Sequence, residues 1–413
     1  MSLVNKSKLS LFLVILIATG IRLIYIAQLD EKLYWADEKD FYRISQNIVD
    51  MQEFVIDEGE PTAFRAPGYP LVLAAMRLIG VDTITEIRLF HIALMALTML
   101  LIFHLSLEIY NQYAAWFAVI YTALYPYFIY ITGPILATTW IGFLLILTIW
   151  AAVKAQNRDS WIYLVLAGLA GGWMISSRPI TGILLLAIAI WLFWFGQKRP
   201  QRRLIFAMIY VFIAVLVTVP WIWRNHKTFG FVGLVSNMGH NLYLGNNAKA
   251  PLTTTGIRTF EEKVFQALKG VDSESRRDSI LRRFAFDYIQ EKPFQFVKRS
   301  LRKGVAFWRI TPSPTTERQE NSPHVVWASI LSVTPLWLLM IYGMFALRRT
   351  HQKWLLLWLL MAIAYTLVHA PFIAKVRFRL PLDFVTIIIA SGAFYHLLGA
   401  LKQKFRPNME AQL

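Results

Sequence analysis

The chain has 413 residues, 56% of them hydrophobic and 16% charged, with a formal net charge of +17 and no cysteine. Repeated apolar runs of roughly 17 to 22 residues exclude a soluble globular protein, and the missing thiols exclude disulfides, thiolate metal sites and a cysteine nucleophile. So positive a charge could serve nucleic acid, but membrane proteins concentrate Lys and Arg in cytoplasmic loops, which accounts for it without a nucleic-acid partner.

In chain order, the first apolar run, residues 9–29, has no small-residue cleavage site before its acidic flank and reads as a retained spanning helix. Residues 30–68 then hold ten Asp or Glu against four Lys or Arg. Within them Phe41, Ile44, Ile48 and Met51 recur at helical spacing, predicting a short amphipathic helix along the membrane surface with Asp37 and Glu38 at its start. The run 68–80 is short and carries Arg77, so it is expected to be re-entrant or interfacial rather than spanning. Nine further runs, near 89–107, 114–132, 134–153, 161–176, 180–196, 204–222, 326–346, 354–370 and 382–400, complete an all-α polytopic protein of about ten spans.

The connectors at 154–158, 197–203 and 348–353 and the tail at 402–406 are short and basic, hence cytoplasmic. Both termini are then cytoplasmic, and 30–88, 132–138 and 223–325 share the opposite side. This divides the chain into an N-terminal membrane module (1–222), an extracytoplasmic loop region (223–325) and C-terminal spans with a tail (326–413). Residues 280–308 alternate aromatic and basic positions, with Pro293 where a second helix can begin. They suit either interfacial helices resting on headgroups or amphipathic helices packed on one another.

Ionisable groups inside spans mark pumps and carriers, yet Asp30, Glu108 and Asp383 all fall near predicted helix ends, so no proton relay is expected. Polar groups gather instead on the extracytoplasmic side. Asp37, Glu38, Arg65, Arg178, Lys375, Arg377 and Arg379 supply charge, while Arg224, Asn225, Asn241, Asn246 and Asn247, with Tyr42 and Tyr69, are candidate substrate contacts. A carboxylate can take a proton from an attacking hydroxyl, and Arg forks hold phosphate oxygens. Each piece also has a structural reading: from the pair alone, Asp37 with Asp40 three residues on favours a helix cap, and "VRFRLP" (376–381) could be snorkelling arginines. His residues are scattered, so no preformed transition-metal site is expected.

In order, "ADEKDFYRISQNI", "FRAPGYPLVLAAMRLIG", "GLAGGWMISSRPITGILLL", "PWIWRNHKTFG" with "NLYLGNNAKA", and "RFRLPLDFVTIIIA" resemble bacterial membrane glycosyltransferases of the GT-C class. The group meant is that of protein O-mannosyltransferases and lipid A aminoarabinose transferases (glycosyltransferase family 39-like). The resemblance implies sugar transfer from a polyprenyl-phosphate donor, with inversion, on the non-cytoplasmic side of the bacterial inner membrane. It makes Asp37 the general base and Glu38 a second candidate for positioning or acceptor binding; Arg65, assisted by Arg377, Arg379 and Arg178, would hold the donor phosphate. Many relatives carry another acid after the third span, where this chain has Thr138 within "TGPILATTW". The resemblance allows a divalent cation between paired acids, but Thr138 argues against one, and no cofactor is assigned. The acceptor, whether protein, lipid or glycan, is left open. Two other readings compete: a transporter or flippase of the same carrier lipid, and a noncatalytic scaffold of an envelope polysaccharide complex.

Overall fold

The computed structural model describes residues 3–57, 59–196, 199–250, 260–312 and 322–405; parts of the predicted 197–203 connector, of the 223–325 region and of the 402–406 tail lie outside them. Among the described residues the chain is helical, with one isolated bridge between Val55 and Pro61. Helix α1 (Leu3–Ala27) leads to the predicted amphipathic helix α2 (Ala36–Asp50) and to α3 (Gly68–Leu78). At about 1.5 Å per residue α3 is roughly 16 Å long, half a bilayer core. The apolar face of α2 is set by Phe41 and Ile44, whereas Met51 lies past its end and is exposed.

Next come α4 (Ile84–Ile109), α5 (Gln112–Leu124), α6 (Pro126–Tyr130) and α7 (Thr138–Arg158). The run 114–132, predicted as one span, is therefore broken. Pro126 has no N–H to give and forces Tyr125 into extended backbone (φ −68°, ψ 114°), so α5 stops one residue earlier. The orphaned carbonyls of Thr122 and Ala123 are taken by the buried Arg22 of α1, at 3.2 and 3.1 Å. A guanidinium at a helix C-terminus satisfies those acceptors and complements the helix dipole.

Helices α8 (Trp161–Ser177) and α9 (Gly182–Phe195) meet at a 3₁₀ turn, Pro179–Thr181, and are followed by α10 (Pro200–Phe229). Gly168 and Gly172, one turn apart on α8, face Ile213, Ala214 and Val217 of α10 so closely that a Cβ would collide, the small-residue packing that membrane helices use. Outside the bundle α11 (Met238–Gly245), α12 (Glu262–Leu268) and α13 (Glu274–Glu291) share a small core of Leu242, Tyr243, Val264, Leu268, Leu281 and Ala285. Then α14 (Pro293–Phe307), begun by Pro293 as predicted, leads back to α15 (Pro323–Ala346), α16 (Gln352–His369) and α17 (Val376–Phe405). Among the described residues seven helices, α1, α4, α7, α10, α15, α16 and α17, are long and apolar enough to cross a membrane; α8 and α9 are apolar but have 17 and 14 residues.

The last helix starts earlier than the predicted run at 382, and this changes the account of buried charge. Asp383 lies two turns inside α17 rather than near its end, fully buried. Its carboxylate accepts from Arg379 Nε and Nη2 at 3.0 and 3.2 Å and from the Tyr125 hydroxyl at 3.0 Å. A buried pair broken on one side leaves an uncompensated charge, at a cost of about 3–5 kcal/mol. Asp383→Asn should accordingly lower the thermal unfolding midpoint in detergent sharply, and the double change Arg379→Leu with Asp383→Leu should recover most of the loss. Equal losses in the single and double variants would show that the pair acts otherwise.

Candidate active site

The site is assembled where α1 ends and α4, α7 and α17 begin. Helix α2 is anchored there by Glu38, whose Oε2 accepts the backbone N–H groups of Tyr34 and Trp35 at 2.9 and 2.8 Å. Its Oε1 accepts that of Ile135 at 2.7 Å. Glu38 thus caps α2 and braces it against the loop before α7, with its oxygens taken up by backbone. Side chains of adjacent helical residues diverge by about 100°, so Asp37 faces elsewhere. Asp37 Oδ1 lies 2.9 Å from Arg65 Nη1 and Oδ2 3.0 Å from Arg377 Nη2. Asp40, one turn along the same face, takes Arg65 Nε and Nη2 at 2.8 and 2.6 Å.

Arg65 belongs to the irregular stretch between α2 and α3, which could not hold a side chain still without outside support. Glu274 of α13 supplies it, accepting from Thr62 Oγ1 and Ala63 N at 2.6 and 2.9 Å. Asn237 donates to Phe64 O at 2.6 Å, and Arg224 to Thr62 O at 2.7 Å. The Arg65 guanidinium also lies over the rings of Phe64 and Phe41.

Three further cations face Asp37 or its partners. Arg377 lies over Trp35 and Phe378, Lys375 over Trp35, and Arg178 over Phe378. Among the described residues two buried donors in this group, Arg178 Nη1 and Arg377 Nε, have no hydrogen-bond partner of good geometry, Arg178 lying beside the buried Tyr365 hydroxyl. Burial pushes the Asp37 carboxyl up, but Arg65, Arg377 and Lys375 outweigh it and hold it at about 2. Burial and the neighbouring Arg377 pull the Lys375 ammonium down to about 8 against the opposing pull of Asp37. Two carboxylates among four cations leave net positive charge and unused N–H groups in a half-buried cluster, the charge balance a phosphate needs.

Not every predicted residue joins this group. Arg379 does not: besides Asp383 it donates to the carbonyls of Phe307 and Arg309 at 3.3 and 2.6 Å, and positions two apart on a helix point about 200° from one another. Arg224, Asn225, Asn241, Asn246 and Asn247 are occupied by backbone carbonyls, the last two through Leu242, Pro371 and Tyr243 at 2.7–2.8 Å. Tyr42 donates to Asp82 O at 3.0 Å, and Tyr69 is fully buried with its hydroxyl 2.7 Å from His91 Nε2. The sequence groups Lys375 with the charges on this side without a role of its own, and gives no site role to Asp40 or Trp35. The only signal for Lys375 was its place beside Arg377 at the mouth of a helix.

The donor set does not suit a divalent cation. Each Asp37 oxygen already accepts from a guanidinium, and Thr138, at the first position of α7, brings a buried hydroxyl in place of a second carboxylate. Among the described residues no three His, Cys, Asp or Glu side chains gather as a metal site would.

The all-helical fold, with its charged cluster at one end of the bundle, is shared with solved membrane glycosyltransferase structures. The family model for dolichyl-phosphate-mannose-protein mannosyltransferase matches residues 64–223. The structure superposes on the oligosaccharyltransferase AglB of Archaeoglobus fulgidus, solved with an inhibitory peptide and a dolichol-phosphate. TM-score is 0.58 at 15% identity, covering 97% of this chain and 52% of that one. The same enzyme in complex with Zn and sulfate gives 0.55 at 16% identity, covering 94% and 51%. ArnT of Cupriavidus metallidurans bound to undecaprenyl phosphate gives 0.44 at 14% identity, covering 93% and 77%. The chain spans about half the length of the oligosaccharyltransferase chains it matches. No curated protein sequence matches it significantly.

Proposed function

We propose that this chain is an inverting glycosyltransferase that moves a sugar from a polyprenyl-phosphate-linked donor to an acceptor hydroxyl at the extracytoplasmic face of the bacterial inner membrane. The observation that carries the proposal is Asp37, held between Arg65 and Arg377 beside two buried guanidinium N–H groups that have no partner of good geometry among the described residues. Asp37 takes the acceptor proton as the oxygen attacks the anomeric carbon from the side opposite the phosphate. The bond from that carbon to the phosphate oxygen breaks, and the lipid phosphate leaves as an anion held by Arg65, Arg178, Arg377 and Lys375. Such a leaving group needs charge stabilisation more than a general acid, so one carboxylate among cations suffices.

A carboxyl at about 2 is a weak base, and the donor itself corrects this. Its phosphate draws off the Arg65 and Arg377 N–H groups and brings negative charge close, and both effects raise Asp37. The short basic connectors on the other face support the outward side.

The test is an assay of the purified protein with a panel of polyprenyl-phosphate sugars, following donor consumption with and without chelator. Consumption of none of them, by protein shown to be folded, would overturn the proposal. A second measurement follows from Lys375. Because kcat/KM reports the free enzyme, it should fall with the loss of one proton as pH rises through about 8, and Lys375→Arg should carry that limb beyond the working range. A limb unchanged in Lys375→Arg would assign it to another group.

A further inference from the structure

Helix α14 is buried along one side and apolar along the other. Lys303, Ala306 and Phe307 face the protein. Phe294, Val297, Leu301 and Val305 recur every three or four residues on the opposite side and are exposed, Phe294 by 89% and Val305 by 76%. At about 100° per residue these four fall within an arc of roughly 80°, with exposed Lys298 and Arg302 along one border of it. A stripe of four large apolar side chains is not core, since the core face lies behind it, and water is a poor neighbour for it.

The helix is also fixed at a definite height. Lys303 Nζ donates to Gly245 O at 2.7 Å, and Trp308 Nε1 to Thr366 Oγ1 near the end of α16 at 2.9 Å. Arg379, in the first turn of α17, donates to the carbonyls of Phe307 and Arg309. The stripe is thus held beside the end of α16 and the start of α17, two helices long and apolar enough to span.

We propose that α14 lies in the headgroup region of the membrane, its stripe sunk to the acyl boundary and Lys298 and Arg302 against anionic phosphodiester headgroups. This is the charge pattern of interfacial helices on anionic leaflets. The same braces hold the start of α17, with Lys375 just before it and Arg377 in its first turn, so seating α14 sets that cluster at the depth of lipid phosphates. The proposal does not depend on the glycosyltransferase reading.

The chain has no cysteine, so single labels are clean. Nitroxides would be placed on Phe294→Cys, Val297→Cys, Leu301→Cys and Val305→Cys, with Gln295→Cys off the stripe as reference. The full chain is then reconstituted in vesicles of phosphatidylcholine and phosphatidylglycerol. The four stripe sites should show an oxygen-to-nickel-chelate accessibility ratio at least ~3-fold above that of Gln295→Cys. Equal ratios would overturn the proposal, as would dipolar broadening between labels on two copies, which would make the stripe a self-association face. Replacing Lys298 and Arg302 together by Gln should lower the stripe ratio in phosphatidylglycerol vesicles and leave it unchanged in pure phosphatidylcholine; no change in either would remove the headgroup contact.

Discussion

Asp37→Asn should lower turnover by about 10²–10⁴-fold, the usual worth of a positioned general base, while the protein still accumulates in the membrane. The amide keeps the size of the side chain and one oxygen for Arg65 or Arg377, but it cannot take a proton. Because the Asp37 side chain is one-third exposed, its ion pairs contribute little to stability, and the loss should appear in the rate. Glu38→Gln is the contrasting change. Its carboxylate receives three backbone N–H groups, which a single amide oxygen cannot all accept, so it should unfold more easily and lose less turnover than Asp37→Asn. Near wild-type turnover in purified Asp37→Asn would end the base assignment. A cap would not then rescue a role for Asp37, since Glu38 performs that task.

The adjacent acids show what a sequence can and cannot settle. Composition and run length were enough for the membrane class, and Phe41 and Ile44 at helical spacing, like Pro293 at a helix start, were enough for α2 and α14. Which acid faces the cationic cluster depends on a turn of 100° and on a loop 97 residues away in sequence, neither of which a dipeptide encodes. Arg377 and Arg379 look equivalent while 376–381 stands outside the predicted run at 382–400; once α17 begins at Val376 they diverge, one to Asp37 and one to Asp383. The amides of "RN" and "GNN" are indistinguishable by type from ligand-binding ones, yet their Nδ2 groups donate to backbone carbonyls and close turns. Arg22 escaped notice because its partners, the carbonyls at the break before Pro126, are a hundred residues away and have no side-chain signature. Long-range pairing of polar groups, rather than local pattern, was the part hidden from the sequence.

Arg377→Ala should raise the donor KM by about 10- to 100-fold, the range given by losing one charge-assisted hydrogen bond of about 1.5–3 kcal/mol. It should lower kcat less. With Arg377 gone, Asp37 keeps Arg65 but loses the partner on Oδ2, so its carboxyl moves up and becomes a better base, offsetting part of the lost phosphate contact. Arg65→Ala should be the more damaging of the two, because Arg65 holds both Asp37 and Asp40 and carries the stretch before α3 against Phe41 and Phe64. Lys at 377 keeps the charge but not the planar fork, so Arg377→Lys should recover only part of the donor affinity. The discriminating measurement is the split between KM and kcat for the lipid-linked donor. An unchanged KM in both alanine variants would remove the phosphate role from these arginines, and Asp37 would be left between two groups whose only task is to keep it charged.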